Sequence, residues 1–118
     1  MSKISISNKT PIPPHEQDAK LVFAIKRMTG LAIAEVKQRL SQGSSAYLYR
    51  TELFLNDHVE VDSIIRKLLD AMRQYEVEPY ILEILQNESW DSPIDLKLSL
   101  ISEEVLLNVL NESKGKFS

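Results

Sequence analysis

The chain has 118 residues and a formal net charge of −3, with 43% hydrophobic and 26% charged residues. This balance is typical of one globular domain, and no apolar run approaches the roughly 18 residues that a membrane span needs. The N-terminal stretch MSKISISNKTPIPP lacks the continuous apolar segment of a secretory signal. The chain has no cysteine, which excludes disulfides, a thiol nucleophile and a zinc–thiolate site. We therefore expect a cytoplasmic protein with no membrane partner.

The first half of the chain predicts a strand followed by two helices. KISISN alternates apolar and polar residues like a short strand, and NKTPIPPHEQ, with its three prolines, is a loop. Residues 17–29 place apolar side chains on one helical face. Gly30 is expected to end this helix in the left-handed conformation, and a second helix is predicted over residues 32–41, followed by the turn SQGSS. The apolar face of the first helix comprises Leu21, Val22, Ile25 and Met28.

The second half predicts a strand, a long helix, two strands and a last helix. The pattern favours strands over residues 46–55, 77–85 and 94–101, and a helix over residues 59–75. Asp57 is placed to cap the long helix with Glu60 three residues later, and Ser102 to cap the last helix from residue 103. The apolar faces of the first and third of these strands comprise Tyr47, Tyr49, Leu53 and Leu55, and Ile94, Leu96, Leu98 and Leu100.

The order β-α-α-β-α-β-β-α predicts an α+β fold. Strands and helices mixed without a regular βαβ repeat favour a single-layer, mainly antiparallel sheet with helices on one face. No linker or internal repeat divides residues 1–118, so we expect one domain.

The segment IKRMTGLAIAEVKQRL resembles the helix–turn–helix of the C-terminal domain of the bacterial ribosomal stalk protein. The matching residues are Thr29, Gly30, Leu31, Glu35 and Lys37. The bacterial adaptor that delivers N-degron substrates to the Clp protease has the same fold, and ISNKTP at residues 6–11 is similar to one strand end of that adaptor. The resemblance covers residues 3–85 and leaves 86–118 as an acidic C-terminal extension.

The resemblance implies a module that binds proteins and does not catalyse a reaction. The stalk domain contacts translation factors through a basic and apolar first helix, and by this resemblance Val22, Lys26 and Lys37 match its binding residues in character. Asp18 and Phe23 stand where that family carries lysines. Lys9 stands where the adaptor has an acid that holds a peptide amine, so it would repel such an amine.

Charge is segregated along the chain. Residues 20–39 contain five basic residues and one acid, whereas residues 76–112 contain nine acids and one base. Such a distribution steers charged partners, although a solvated acidic surface is the alternative interpretation. We expect a non-catalytic protein that binds a basic protein partner through its acidic C-terminal third, as an inhibitor or toxin-immunity protein does; a nuclease toxin fits because its active-site cleft is basic. The alternative is an adaptor-like module that binds translation or proteolysis factors through its helical hairpin.

The expected partner-binding residues surround the only tryptophan. Trp90 lies in the predicted polar loop NESWDSP, flanked by acids, and tryptophan is enriched at binding hot spots. The alternative is that Trp90 folds back to close the open end of the core. The predicted surface comprises Glu83, Glu88, Trp90, Asp91 and Asp95.

No pattern in the sequence indicates catalysis or a cofactor. The two histidines, His15 and His58, do not form a metal-ligand spacing, and the three glycines are dispersed, so no phosphate loop is predicted. No serine lies in a nucleophile elbow. Lys26, Arg27, Lys37 and Arg39 can be read as a basic surface for nucleic acid, but the net acidic chain favours an ordinary solvated helix face. We therefore expect no enzyme activity, metal, cofactor or nucleic-acid partner.

Overall fold

The structure, a computed structural model, describes residues 2–53, 58–85, 88–91 and 99–117. The elements follow the predicted order: β1 (Ser2–Asn8), α1 (Ala19–Thr29), α2 (Ile33–Gln42), β2 (Tyr49–Glu52), α3 (His58–Gln74), β3 (Pro79–Leu85), β4 (Leu100–Ile101) and α4 (Glu103–Phe117). Two short 3-10 helices, Pro14–Glu16 and Gly43–Ser45, lie in the connections. No helix among these residues is long and apolar enough to cross a membrane.

The four strands form one antiparallel sheet in the order β2-β1-β3-β4. β1 is central: Ile6 lies opposite Tyr49 of β2 and Ile81 of β3, and Ser5 lies opposite Arg50 and Leu82. Because side chains alternate along a strand, Ile4 and Ile6 point to one face and Ser5 and Ser7 to the other. The predicted α+β architecture, a single antiparallel sheet with helices on one face, is confirmed.

The core lies between the helices and the isoleucine face of the sheet. Ile4 and Ile6 are fully buried there with Ile25 of α1, Val36 of α2 and Ile65 of α3. The C-terminal helix joins the same cluster, since Leu106 and Leu110 of α4 are 0% and 3% exposed. Helix α4 therefore adds to this core.

Two of the predicted helix ends form the expected caps. Gly30 adopts φ +78°, and its N–H donates to Lys26 O at 2.8 Å, which closes α1 in a left-handed cap. Ser102 Oγ accepts from the Val105 N–H at 3.1 Å and caps α4, which runs to Phe117. The Asp57 cap lies outside the described residues.

The strand predictions were partly wrong. β2 covers only Tyr49–Glu52, so Tyr47 precedes it and does not share the face of Tyr49; Leu48, between them, is buried instead. Within the described part of the strand predicted over residues 94–101, Leu100–Ile101 is extended, whereas Ser99 has helical backbone. Phe54, Leu55, Ile94, Leu96 and Leu98 lie outside the described residues. The alternation of apolar and polar residues was not a sufficient signal, because it does not show whether a second strand lies close enough to form hydrogen bonds.

Substitution of the two glycines with positive φ is expected to lower the free energy of unfolding by different amounts. A Cβ on Gly30 would meet nothing within 4 Å, whereas a Cβ on Gly43 would lie 2.8 Å from Pro11 N. Gly30→Ala is therefore expected to lower the free energy of unfolding by about 1 kcal/mol through backbone strain alone. Gly43→Ala adds overlap with Pro11 and is expected to lower it by about 2–4 kcal/mol. Urea unfolding of both variants checks this order, and a larger loss for Gly30→Ala would contradict it.

Candidate functional site

An open cleft of about 580 Å³ lies between the loop after β1 and the turn that joins α3 to β3. Four carboxylate residues line it, Glu16 and Asp18 from the loop and Glu76 and Glu78 from the turn. Ile12, Leu21, Tyr75 and Val77 supply apolar surface between them. The cleft thus combines an apolar lining with a concentration of negative charge.

Side-chain hydrogen bonds hold the loop wall of this cleft. Gln17 Nε2 donates to Ile12 O at 2.9 Å and to Lys37 O at 2.8 Å, which fastens the loop to α2. Asp18 Oδ1 accepts from the Lys20 N–H at 2.7 Å as the N-cap of α1. Because Asp18 caps α1, its carboxylate is fixed at the mouth of the cleft.

The turn wall contains a strained residue. Glu76 N–H donates to Arg73 O and Val77 N–H donates to Met72 O, the two bonds of a Schellman motif that ends α3. That motif needs a left-handed residue, and Glu76 occupies the position with φ +58°. Glycine adopts this conformation without penalty, whereas an L side chain costs about 1–2 kcal/mol. A carboxylate is thus held at the cleft at the expense of backbone strain.

Ion pairs leave most of the acidic character of the cleft in place. Lys9 Nζ lies 3.6 Å from Glu78 Oε1, but both side chains are more than half exposed, so the pair is weak. His15 Nε2 lies 4.0 Å from Glu16 Oε1, at the limit of an ion pair. The four carboxylates therefore still favour a cationic occupant.

A second cluster of charged and aromatic side chains lies against the face of the sheet that carries Ser5 and Ser7, which we call the serine face. Arg50 Cζ is 3.9 Å from the centre of the Tyr47 ring and 4.7 Å from that of Trp90, and Arg39 Cζ is 4.4 Å from the Tyr47 ring. We call Arg39, Tyr47, Arg50 and Trp90 the arginine–aromatic ladder. Partial burial lowers the pKa of Arg50, and the positive charge of Arg39 lowers it further, while Tyr47 and Asp91 oppose the shift. Arg50 stays protonated because an arginine pKa lies so far above neutrality.

The segment carrying Trp90 folds back onto the sheet. Lys3 Nζ donates to Glu88 O at 2.7 Å, and the Leu85 N–H donates to Glu88 Oε1 at 2.9 Å. Trp90 is half-buried, and it lies outside the helix-side core. The indole therefore covers the serine face through its contact with Arg50.

The structure separates the residues expected at the partner-binding surface. Glu88, Trp90 and Asp91 share one segment, with Glu88 and Asp91 exposed, whereas Asp95 lies outside the described residues. Glu83 lies opposite Ile4 in the register, so it points to the helix side while Trp90 contacts the other side. Glu83 therefore does not join the Trp90 group.

One residue of the alternative binding face on the helices is buried. Val22 is 2% exposed and packs in the core, because it lies on the buried face of α1; only Lys26 and Lys37 of that set are exposed. Phe23, next to Val22, is 51% exposed instead. Helical periodicity could have distinguished the two, since Leu21, Val22 and Ile25 define the buried face and Phe23 falls outside it.

The acidic cleft was missed at the sequence level. Its two walls are about 60 residues apart in the chain, and only Glu76 and Glu78 fell within the acidic segment. Within the part of the chain that the structure describes, no three His, Cys, Asp or Glu residues are placed to hold a metal ion. Comparison with protein-family models, curated proteins and solved structures finds no match to this chain.

The ladder predicts energetic coupling between Arg50 and Trp90. Cation–π contacts at partly exposed sites contribute about 0.5–1 kcal/mol. Arg50→Ala and Trp90→Ala, measured singly and together by urea unfolding, should show a coupling energy of that size. Arg27, exposed on α1, provides the control pair with Trp90 and should show none. Additive effects for Arg50 and Trp90 would mean that the stacked arrangement does not hold in solution.

Proposed function

We propose that this chain is a non-catalytic binding protein, of the inhibitor or toxin-immunity type, whose acidic cleft receives a lysine or arginine side chain of a basic protein partner. The single observation that carries the proposal is the presence of four carboxylate residues in the lining of a partly apolar cleft. A nuclease toxin is a partner of suitable chemistry, because its substrate-binding cleft is basic.

The cleft suits a long cationic side chain for two reasons. The methylenes of lysine or arginine can lie against Leu21, Tyr75 and Val77 while the charged end stays near the rim. Hydrogen bonds from such a cation to carboxylates are about twice as strong as those between neutral groups. The cleft therefore offers both the apolar and the charged part of the interaction.

The strain at Glu76 supports a binding role for its carboxylate. Strained backbone outside glycine concentrates at ligand-binding and active sites, where the strained residue performs the function. Here the strained residue is one of the four acids of the cleft. Residues 88–91, with the exposed acids beside Trp90, are proposed as a second contact of the same partner.

A second candidate function is an adaptor-like module that binds translation or proteolysis factors through α1 and α2. The observation that favours it is the 51% exposure of Phe23 on a helix surface that also presents Lys20, Lys26 and Arg27. An exposed aromatic side chain among cations fits an acidic partner rather than a basic one. The two candidates thus predict partners of opposite charge.

Glu76→Gly together with Glu78→Gln is expected to weaken partner binding at least tenfold, about 1.4 kcal/mol. Glycine relieves the positive φ, so stability should be unchanged or higher and a loss of binding cannot be ascribed to unfolding. The measurement is parallel affinity purification with wild-type and variant protein from the native host, followed by titration of the recovered partner. Glu104→Gln with Glu112→Gln is the matched control, because both residues are exposed on α4 and neither lines the cleft.

Charge reversal on the helices separates the two candidates. Lys26→Glu with Lys37→Glu should leave the basic partner bound if the cleft is the site. If the cleft variant binds as wild type and the helix variant loses its partner, the adaptor function is supported and the inhibitor proposal fails. Trp90→Ala, included in the same series, tests whether residues 88–91 contribute.

A further inference from the structure

A second concavity, of about 340 Å³, lies beside the arginine–aromatic ladder and shares no described lining residue with the acidic cleft. Arg39 and Arg50 line it, together with Gln38, Gln42, Ser45 and Tyr47. Each of these side chains carries at least one hydrogen-bond donor, and two of them carry a full positive charge. None of the described residues that line the concavity is a carboxylate residue.

The two guanidinium groups are positioned by the protein before any ligand arrives. Arg39 Nη1 donates to Tyr47 O at 2.7 Å, and Arg50 Nε donates to Ser5 Oγ at 3.3 Å. Both groups also lie against the Tyr47 ring, which fixes them at neighbouring positions. A guanidinium has five N–H donors, so one such bond orients it and leaves capacity for a ligand.

The positive charge of this pair is only partly balanced by the protein. Glu35 Oε2 reaches Arg39 Nη2 only at 4.0 Å, and its side chain is 53% exposed. Asp91 favours the charged form of Arg50, whereas Arg39 disfavours it, so the two arginines repel each other. A doubly charged anion between them would remove this repulsion.

We propose that the concavity formed by Arg39, Arg50, Gln38, Gln42 and Ser45 binds the dianion of a phosphate group. Two guanidiniums match the two negative charges of a phosphate monoester, and their planar donor sets bind its oxygens in pairs. A single carboxylate would neutralise only one of them. The amides and the hydroxyl of the remaining three residues supply neutral donors for the third oxygen. This site goes beyond the proposed partner binding, because it shares no described lining residue with the acidic cleft and takes a ligand of the opposite charge.

The test uses the full chain and inorganic phosphate as the probe. Trp90 is the only tryptophan and contacts Arg50, so its fluorescence reports events at the concavity. Phosphorus NMR of the ligand gives a second readout that does not depend on Trp90. We expect saturable binding with a Kd of about 1 mM or lower at constant ionic strength. Phosphoserine and a nucleoside monophosphate, titrated alongside, distinguish a phosphorylated protein from a nucleotide as the source of the phosphate.

Arg39→Gln is the diagnostic variant, since Arg39 stacks on Tyr47 whereas Arg50 is the arginine that stacks on the fluorescence probe Trp90. It should weaken phosphate binding at least tenfold, and Arg39→Lys, which keeps the charge but not the paired donors, should weaken it less. Arg39→Lys also serves if Arg39→Gln fails to fold. Arg27→Gln, an exposed cation outside the concavity, should bind as wild type.

Three results would overturn the proposal. The first is a Kd weaker than roughly 10 mM, which corresponds to no more than general attraction of an anion to a charged surface. The second is an equal response to acetate at the same ionic strength, which would show that the site does not distinguish a dianion from a monoanion. The third is unchanged phosphate binding by both Arg39 variants.

Discussion

The hydrogen bonds of one buried amide, that of Asn8, join the sheet to the helical layer. Asn8 is fully buried at the end of the central strand β1, and its Nδ2 donates to Thr10 O and to Leu40 O at 2.8 Å each. Leu40 lies in the last turn of α2, where carbonyls have no partner within the helix. Ile12 N–H reaches the same carbonyl at 2.9 Å. The end of β1, the loop after it and the end of α2 are therefore fixed relative to one another.

Both candidate surfaces depend on this junction. The loop that Asn8 begins supplies one wall of the acidic cleft, and Gln17 fastens that wall to Lys37 O on α2. The last turns of α2 supply Gln38, Arg39 and Gln42 to the phosphate concavity. Surfaces of opposite charge are thus built on two sides of one helix end, which explains why the local fields differ although the net charge of the chain is only −3.

The elements could be predicted because their signals are local. The buried set Leu21, Val22 and Ile25 recurs at helical spacing, and Gly30 is a residue suited to the left-handed cap that it forms. The surfaces could not be predicted, because they join residues distant in sequence: Glu16 with Glu76, and Arg39 with Tyr47, Arg50 and Trp90. The burial of Leu48 could not be predicted for the same reason. It follows from contacts with other parts of the chain, which the alternating pattern of the predicted strand does not reveal.

The charge counted over a sequence segment also differs from the charge that a ligand encounters at the protein surface. Glu103 belongs to the acidic segment but pairs with Arg73, and its side chain is only 26% exposed, so its charge is partly balanced within the protein. Glu16 and Asp18 lie outside that segment yet line the acidic cleft. Among these acids, Glu76 is the one whose backbone is strained where glycine would not be. Because Glu76 lies in the cleft, we place the proposed binding site for a basic partner there and not across the acidic segment as a whole.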